Sequence, residues 1–324
     1  MNSHNDNQTH LQAHSEIVKA SIAFLQDDAR FQLERPYLYL LPQHSDFPVS
    51  NCRFSSDKLT PVIDVRQDSA SVDFARDGFE FVKDPLPCKN VAELVTHSAA
   101  STPTAVLLQY LDRMRILAQQ RTCADESIVF DWRVSPIVHK SAALSLTMCE
   151  IRRVSPSDSV DGFQEDKAGR HDFLRPAYKA HADLSPRGGW LTLKAYLKEE
   201  EYLNVVSGAW RARMVTCWRP LVSEVLDCPL AFCRRGTIDS GDFVPYDRVD
   251  GTGDGEGMFL KQGSSQAWYW LSRQTCDEVS FFESWDSMSQ GCDAQTMHAA
   301  FQLVPSQARP SDRRVSIEGM VINT

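Results

Sequence analysis

The β-rich pattern that begins near residue 140 limits most strongly what this chain can fold into. Short runs of β-branched, aromatic and aliphatic residues are separated there by Gly, Pro, Asp and Ser, and they cover 190–197, 213–221, 267–273, 278–285 and 314–322. Many short strands at this density, divided by turn residues, are typical of a sandwich or a barrel. The sequence therefore predicts a mainly β fold over its second half.

The first half of the chain has a different pattern. Residues 1–15 are polar and rich in His, Asn and Gln, so we expect a disordered arm there. Apolar residues recur at helical spacing in 16–32 and more strongly in 92–121, which predicts a short and a longer amphipathic helix. Between them, 33–75 contains prolines and short extended pieces. The sequence therefore predicts α elements that flank a β core.

Size and charge limit the number of domains and the kinds of partner. The chain has 324 residues, of which 42% are hydrophobic, and its formal net charge is -9. This is enough apolar material for one large core, so we expect a single domain over 16–324, with an N-terminal elaboration at 16–140 and the β core at 141–324. The acidic balance argues against a nucleic-acid-binding surface, because such a surface needs clustered Lys and Arg.

The sequence also makes a membrane partner unexpected. No apolar run approaches the roughly 20 residues that a membrane-spanning helix needs. The start, MNSHNDNQTHLQAHSE, has neither the basic nor the apolar region of a secretory signal, which predicts a cytoplasmic protein. The sequence leaves open whether the protein forms a homodimer.

Cysteine and glycine patterns are given structural interpretations. The chain contains nine cysteines and no CxxC pair, so reduced thiols that behave as small apolar side chains are favoured over a redox or metal role. The glycine-rich segment 251–259 has a glycine density similar to that of a dinucleotide-binding loop, but no helical pattern follows it. A turn that connects two strands is therefore predicted for this segment.

A pair of potential iron ligands lies where the β-rich region begins. A non-haem Fe(II) centre uses two histidines and one carboxylate, which leave one face of the metal open. Residues i and i+2 of a strand point the same way, so His-x-Asp at a strand end supplies two of these ligands. His4, His14, His44 and His181 each have an acidic residue at i+2. Of these pairs only His181–Asp183 lies at the entrance to the β-rich half.

The third ligand can be chosen by elimination. His298 is the only histidine after Asp183, and it lies 117 residues beyond His181 (298 − 181). Its neighbours Met297 and Ala299 are apolar, as expected for a strand buried in a barrel wall. A lone histidine in such a place is more often a core residue. The pair, the order and the strand pattern together favour His181, Asp183 and His298 as iron ligands.

A dicarboxylate co-substrate such as 2-oxoglutarate also needs a cation for its far carboxylate. Arginine suits this role, because its planar guanidinium can hold a carboxylate through two hydrogen bonds. Arg309, Arg313 and Arg314 follow His298 within 16 residues. Arg314 begins the last strand-like run and is the best candidate for an inward-facing anchor. At least one of the three arginines is expected in a solvated loop.

Several longer blocks of the sequence form a recognisable series. They are VDFARDGFEFVKDP at 72–85, AYKAHAD at 177–183, TCWRPLVSEVLDCPLAFC at 216–233, WYWLSRQTCDEVSFFESWDS at 268–287, MHAAF at 297–301 and RVSIE at 314–318. These blocks resemble a largely fungal and bacterial family of Fe(II)- and 2-oxoglutarate-dependent oxygenases, in which AYKAHAD is similar to the metal pair. Its members include gibberellin-desaturase-like, cephem-7-methoxylase-like and meroterpenoid-tailoring proteins, and the resemblance covers roughly residues 60–320.

The resemblance implies a fold, a cofactor and a co-substrate. The fold would be a double-stranded β-helix, a jelly roll of the cupin-like type, with flanking helices. Fe(II) would be bound by the three ligands above, and 2-oxoglutarate would be contacted by Arg219 and Arg314. Tyr269 would line the pocket, although a role as a packed strand aromatic is at least equally plausible. The implied reaction oxidises a small molecule of specialised metabolism by hydroxylation, desaturation or oxidative cyclisation, with succinate and CO2 as co-products.

The sequence departs from the family pattern at three places. Thr216 stands where the family usually has Asn, Gln266 where a His often precedes the W-Y block, and Met320 where a second Arg is usual. If position 320 carries the carboxylate anchor in the family, Arg314 or Arg219 must take that role here.

Two alternatives to the oxygenase remain open at this point. One is a non-oxidative isomerase or lyase on the same barrel, which would form no succinate from 2-oxoglutarate. The other is a metal-free binding protein whose histidines are core residues, and its iron content would distinguish it.

Overall fold

The computed structural model describes residues 17–39, 48–66, 72–87, 94, 105–136, 177–249, 254–304 and 314–324. Its strands are β1 Ile17–Ser21, β2 Phe24–Leu25, β3 Tyr37–Tyr39, β4 Phe54–Ser55, β5 Thr60–Asp64, β6 Phe79–Lys83, β7 Ser127–Pro136, β8 His181–Ala182, β9 Arg213–Pro220, β10 Leu230–Cys233, β11 Phe243–Val249, β12 Asp254–Leu260, β13 Trp268–Trp270, β14 Glu278–Asp286, β15 His298–Ala300, β16 Gln302–Leu303 and β17 Val315–Asn323. The helices are α1 Phe74–Asp77, α2 Ala105–Thr122, α3 Pro186–Tyr196 and α4 Glu199–Val206, with short 3-10 turns at Ala29–Gln32 and Ser240–Asp242.

The strands form two large sheets. The ten-stranded sheet has the order β16-β1-β5-β13-β10-β15-β8-β12-β11-β3, and the five-stranded sheet has the order β6-β14-β9-β17-β7. Strands that are distant in sequence lie next to each other in both sheets, as in a jelly roll. The N-terminal strands β1, β3 and β5 extend the larger sheet, while β6 and β7 form the two edges of the smaller one. The fold is therefore the predicted double-stranded β-helix with flanking helices.

Aromatic side chains from both sheets meet between them. Phe79, Trp218 and Phe282 come from the five-stranded sheet, while Phe232 and Tyr269 come from the ten-stranded one, and all five belong to one buried cluster. Burial of an aromatic or aliphatic side chain of this size contributes about 1.5–3 kcal/mol each. The cluster therefore holds the two sheets face to face.

Helix α2 covers the outer surface of the five-stranded sheet. Leu107, Leu111 and Met114 of this helix pack in one cluster with Val215 and Cys217 of β9. Because side chains alternate along a strand, the intervening residues of β9 point to the opposite, inner surface. The parity along β9 thus separates an outer set at positions 215, 217 and 219 from an inner set at 214, 216 and 218.

Several predicted elements are confirmed. The runs 213–221, 267–273, 278–285 and 314–322 contain β9, β13, β14 and β17, and the helix predicted at 92–121 is present as α2. Residues 92–93 and 95–104 of that predicted helix and the arm at 1–15 lie outside the described residues. The boundary at residue 140 stays a prediction.

Two predicted elements are wrong because local context overrides the apolar spacing. The segment 16–32 is largely extended rather than helical, since β1 pairs with β5 and with β16. The run 190–197 is mostly helix α3 rather than a strand. Ser185 caps that helix by accepting a hydrogen bond from the Gly188 amide. Pro186 occupies the first turn, where the backbone amides have no partner within the helix, so the missing N–H of proline costs nothing there. These start signals outweigh the β-branched and aromatic residues that follow them.

The glycine-rich segment 251–259 is also different from the prediction. From residue 254 onward it is strand β12, which pairs with β11 in an antiparallel register. Gly257 lies opposite Tyr246, and a Cβ at this glycine would come within 2.7 Å of the tyrosine ring. Gly257 therefore allows a close approach between a strand and a ring, while residues 251–253 of the predicted turn lie outside the described residues.

The cysteine interpretation is confirmed for the three buried cysteines among the described residues. The seven described cysteines are free, and Cys217, Cys228 and Cys233 are buried. Burial raises the pKa of Cys217 and of Cys233 to about 12, so both thiols are protonated at neutral pH. They therefore behave as small apolar side chains.

Candidate metal centre

His181, Asp183 and His298 come together on the inner surface of the ten-stranded sheet. Strand β8 pairs with β15, and this pairing places His181 directly opposite His298. One potential ligand atom from each residue of the triad lies within 4.8 Å of the others. The carboxylate of Asp183 is 3.8 Å from Nε2 of His181 and 3.9 Å from Nε2 of His298. The three side chains are buried.

The orientation of both imidazole rings is fixed by the backbone. Nδ1 of His181 lies 2.8 Å from the carbonyl oxygen of Lys179, and Nδ1 of His298 lies 3.1 Å from that of Thr296. A carbonyl oxygen only accepts, so each Nδ1 carries a proton, and in a neutral ring Nε2 is then the atom that offers a lone pair to a metal. Two imidazole nitrogens and one carboxylate within 4.8 Å of one another form the donor set that suits non-haem Fe(II). The residues present therefore fit this metal.

The turn after Asp183 is anchored to a neighbouring strand. Ser185 donates its amide to the carbonyl oxygen of Glu256 at 3.0 Å, and its hydroxyl donates to the Glu256 carboxylate. A side chain at Gly188 would collide with the same carbonyl oxygen. The start of α3 thus packs directly on β12, and this contact ends β8 just where the carboxylate ligand is needed.

Aromatic rings surround His298. The ring centroid of Phe282 lies 4.7 Å from that of His298, and the centroid of Phe232 lies 6.1 Å away. Both phenylalanines belong to the buried cluster between the sheets. This apolar wall excludes water from one side of the triad and strengthens electrostatic interactions there.

Arg314 lies on the inner surface, where strand β17 begins. Its guanidinium donates to the carbonyl oxygen of Cys228 and lies 5.1 Å from the centre of the Trp218 ring. The side chain is buried, and burial lowers the pKa of the guanidinium below its ordinary value. Within the described part of the chain, no carboxylate forms an ion pair with Arg314, and its Nε has no hydrogen-bond partner.

Arg219 lies on the outer surface, away from the triad. It is also buried, but it forms an ion pair with Asp84 and donates to the carbonyl oxygens of Asp84 and Cys276 at 2.5 and 2.6 Å. Its guanidinium also lies 5.6 Å from the ring of Tyr110 in helix α2. The structure therefore does not bring Arg219 to the histidines, since the position has the wrong parity along β9.

We predict that Arg219→Met destabilises the protein without affecting co-substrate binding. The substitution leaves the Asp84 carboxylate buried with only Arg113 as a cation, so the free energy of unfolding should fall by about 3 kcal/mol. Urea unfolding measures this loss. Arg113→Met is the matched control, and because Arg113 is partly exposed its effect should be smaller. A raised KM for 2-oxoglutarate in Arg219→Met, without destabilisation, would contradict the structural role.

The remaining candidates divide between described and undescribed residues. Tyr269 is buried on the inner side of β13, where its ring is 6.2 Å from that of Phe79 and the Arg234 guanidinium is 4.3 Å from its centre. Arg313 and the competing His44 pair lie outside the described residues.

Sequence reasoning missed two features of the site. One is the contact between Ser185 and Glu256. Ser-Pro before an apolar run is a helix-start signal, so the sequence could have predicted the cap at Ser185 but not its partner Glu256. The role of Thr296 as an acceptor for His298 had no local signal.

The fold and the triad together define a non-haem iron oxygenase of the jelly-roll class. A family model described as "Oxidoreductase/YMDC permease-like domain" matches residues 22–322. The chain is 30% identical over 241 residues to the Fe(II)/2-oxoglutarate-dependent dioxygenase nvfI of Aspergillus novofumigatus, which covers 71% of this chain and 78% of the relative. The chain belongs to this oxidoreductase family and, with it, to the Fe(II)/2-oxoglutarate-dependent dioxygenases.

The chain is also similar to two further relatives and to a solved structure of the same fold. The gibberellin cluster GA4 desaturase of Gibberella fujikuroi is 28% identical over 42% of this chain and 44% of its own length. Aspirochlorine biosynthesis protein N of Aspergillus oryzae is 32% identical over 41% of this chain and 56% of its own length. The structure of the iron and alpha-ketoglutarate-dependent endoperoxidase NvfI has the same fold, with a TM-score of 0.71, 23% identity and coverage of 95% of this chain and 97% of that chain.

The described helices were also compared with the requirements of a membrane span. None of them is both long enough and apolar enough to cross a bilayer.

Proposed function

We propose that His181, Asp183 and His298 bind Fe(II), and that Arg314 binds the far carboxylate of 2-oxoglutarate. The enzyme would oxidise a small molecule of specialised metabolism, with succinate and CO2 as co-products. The proposal is supported most directly by the triad, in which two Nε2 lone pairs and one carboxylate converge from paired strands.

The contrast between two buried arginines supports the role of Arg314. Among the described residues, Arg219 and Arg314 are the arginines that are buried, and only Arg219 has a carboxylate partner. An uncompensated buried charge costs several kcal/mol, by order of magnitude, unless a counter-charge is supplied. A bound carboxylate would supply it, with the planar geometry that guanidinium prefers. Arg314 therefore has the properties of an anion-binding residue that lacks its anion.

Arg314 also contacts the buried aromatic cluster between the two sheets that borders the triad. Its guanidinium packs on Trp218, and Trp218 belongs to the same cluster as Phe232 and Phe282. Those two rings are the neighbours of His298. A co-substrate that reaches from the triad to Arg314 would thus lie along one continuous inner surface.

The chemistry divides between the bound groups and the protein. Bound Fe(II) and 2-oxoglutarate supply the activation of O2, with 2-oxoglutarate converted to succinate and CO2. The chain's own residues hold the metal through His181, Asp183 and His298, while Lys179 and Thr296 fix the two rings by accepting from Nδ1. The apolar wall beside His298 excludes water, which protects a reactive substrate from side reactions.

The outcome of the oxidation is proposed only as a class. One relative is named a desaturase and a structural neighbour is named an endoperoxidase. Hydroxylation, desaturation and oxidative cyclisation share the same iron ligands, so the triad is compatible with all of them. A non-oxidative isomerase or lyase and a metal-free binding protein are not favoured, because the relative nvfI is an Fe(II)/2-oxoglutarate-dependent dioxygenase and the triad is assembled. The single domain over 16–324, the cytoplasmic location and a homodimer stay predictions.

We predict that the protein consumes 2-oxoglutarate and O2 and forms succinate, with slow turnover even when no substrate is added. The reason is that the three ligands leave half of the coordination sphere open to the co-substrate and O2. Succinate is quantified after incubation with Fe(II), with and without 2-oxoglutarate. An oxidation rate that is unaffected by omission of 2-oxoglutarate would refute its use as co-substrate.

A further inference from the structure

Three distant segments of the chain are joined by hydrogen bonds behind His298. The carbonyl oxygen of Gly78 accepts from the amide of Glu283 at 2.8 Å and from the hydroxyl of Thr296 at 3.0 Å. The carbonyl oxygen of Glu283 in turn accepts from the amide of Thr296 at 3.1 Å. Gly78, Glu283 and Thr296 thus form a closed set of contacts, here named the Thr296 clasp.

The clasp connects the two sheets. Gly78 immediately precedes β6 and Glu283 lies within β14, and both strands belong to the five-stranded sheet. Thr296 lies two residues before β15, which belongs to the ten-stranded sheet and begins with His298. Strand β14 has an irregular register directly after Glu283, which lets its backbone turn toward the segment that carries Thr296.

The clasp is closely packed and its members are held by other contacts. Thr296 and Glu283 are 2% and 1% exposed. The Glu283 carboxylate accepts from Arg213 at 2.7 Å and from Arg235 at 2.6 Å. Gly78 has φ +87°, and a Cβ there would lie 2.7 Å from the Thr296 hydroxyl. A side chain at position 78 is thus excluded both by backbone conformation and by space.

We propose that Thr296 is a positioning residue for His298, an inference that rests on the proposed iron site. The carbonyl oxygen of Thr296 accepts the Nδ1 proton of His298, so its location sets the direction in which Nε2 points. The amide and the hydroxyl of the same residue are both bound to the five-stranded sheet. The clasp therefore fixes a ligand on one sheet relative to the sheet that carries Arg314.

The hydroxyl of Thr296 is the part of the clasp that mutation can remove. In Thr296→Val the bond to Gly78 is lost while the branched shape is kept, so the carbonyl that orients His298 loses one of its two restraints. Groups that orient a metal-bound histidine typically contribute about 10- to 100-fold to metal affinity. Thr296→Val should therefore weaken metal binding by roughly tenfold or more, and Thr296→Ser should restore it.

The test is an anaerobic titration of the full metal-free chain with Co(II), followed by its visible absorption spectrum. Co(II) reports the arrangement of its ligands without turnover, so the readout does not depend on activity. Thr237→Val is the matched control, because its hydroxyl also donates to a backbone carbonyl, that of Arg234 at 2.7 Å, and its other described partners, Ala267 and Cys233, do not orient a histidine. Thr296→Val should bind Co(II) more weakly and with an altered spectrum, whereas Thr237→Val and Thr296→Ser should resemble the unmodified protein.

The remaining outcomes of the titration distinguish a failure of the Thr296 clasp from a failure of the proposed iron site. If the unmodified protein does not bind Co(II), or if His298→Ala binds it equally well, the proposed function fails and the clasp with it. If Thr296→Val binds Co(II) as the unmodified protein does, or if Thr296→Ser is as weak as Thr296→Val, the clasp is overturned while the iron site stands. Thr296→Ala replaces Thr296→Val in the same titration if the valine variant does not fold.

Discussion

His298→Ala is expected to lose Fe(II) almost completely, by more than about a hundredfold in affinity. The loss should exceed the 10- to 100-fold effect of removing a group that only orients a ligand, because a ligand itself is removed. His181 and Asp183 would remain as the two donors, with an open position between them. The iron content after anaerobic reconstitution and desalting measures the effect.

Matched variants make this prediction specific to the triad. His181→Ala and Asp183→Ala should lose iron in the same way, while His44→Ala, which removes the competing His-x-Asp pair, should leave iron content unchanged. The free energy of unfolding of each metal-free variant is the control for misfolding. Full iron occupancy in His298→Ala would contradict the assignment, and loss of iron in His44→Ala would indicate that the wrong pair was chosen.

Arg314→Lys should raise the KM for 2-oxoglutarate on the order of tenfold or more, and Arg314→Met should raise it further. Lysine keeps the charge but lacks the planar guanidinium, and a bidentate contact to a carboxylate contributes about 1.5–3 kcal/mol. Iron affinity should barely change, because Arg314 lies outside the triad. Steady-state kinetics with varied 2-oxoglutarate, together with Fe(II) titration, measure both quantities.

The stability of the same variants gives an independent test. Arg314→Met removes a buried charge that has no carboxylate partner, so the ligand-free protein should be as stable as the unmodified protein or more stable. Arg219→Met breaks a buried ion pair and should be destabilised. Arg314→Met should thus raise the KM for 2-oxoglutarate without loss of stability, whereas Arg219→Met should lower the free energy of unfolding without a change in that KM.

Two other outcomes would change the assignment. If Arg314→Met leaves the KM unchanged while Arg219→Met raises it, the two roles must be exchanged. If neither has an effect, Arg313 or a pocket lined by hydroxyl groups holds the carboxylate.

The triad of His181, Asp183 and His298 could be predicted from the sequence, because two of its members form a local pair and the third has no competing histidine downstream. His181 and Asp183 are two residues apart at a strand end, and His298 is the only histidine downstream. Its place at the start of the last strand made Arg314 the best candidate for an inward-facing arginine, and the contact of its guanidinium with Trp218 shows that it lies on the inner surface.

The role of Arg219 could not be read from its strand. Seven of the eight residues of β9 are buried, because one surface faces the other sheet and the other faces α2. Because both surfaces are buried, the strand lacks the alternation of apolar and polar residues that would show which side chains face the interior between the sheets.

Contacts between residues far apart in the chain could not be predicted from the sequence either. The Thr296 clasp joins residues that lie up to 218 positions apart, and the local sequence around each of them does not indicate which residues it will contact. The register between β9 and β17 places Met320 directly opposite Thr216, so two departures from the family pattern are neighbours. Thr216 shares a hydrogen bond of 2.7 Å with Ser284, and Met320 packs in an apolar cluster with Leu184. Position 320 therefore lies between a polar pair and an apolar cluster and carries no charge of its own, so the carboxylate anchor is expected at Arg314.

A crystal structure determined under anaerobic conditions with Fe(II) and 2-oxoglutarate tests the proposed site most directly. We expect electron density for iron bound by Nε2 of His181, Nε2 of His298 and the Asp183 carboxylate, with the far carboxylate of 2-oxoglutarate at the guanidinium of Arg314. Iron bound elsewhere, or 2-oxoglutarate with its far carboxylate at Arg219, would contradict the proposal.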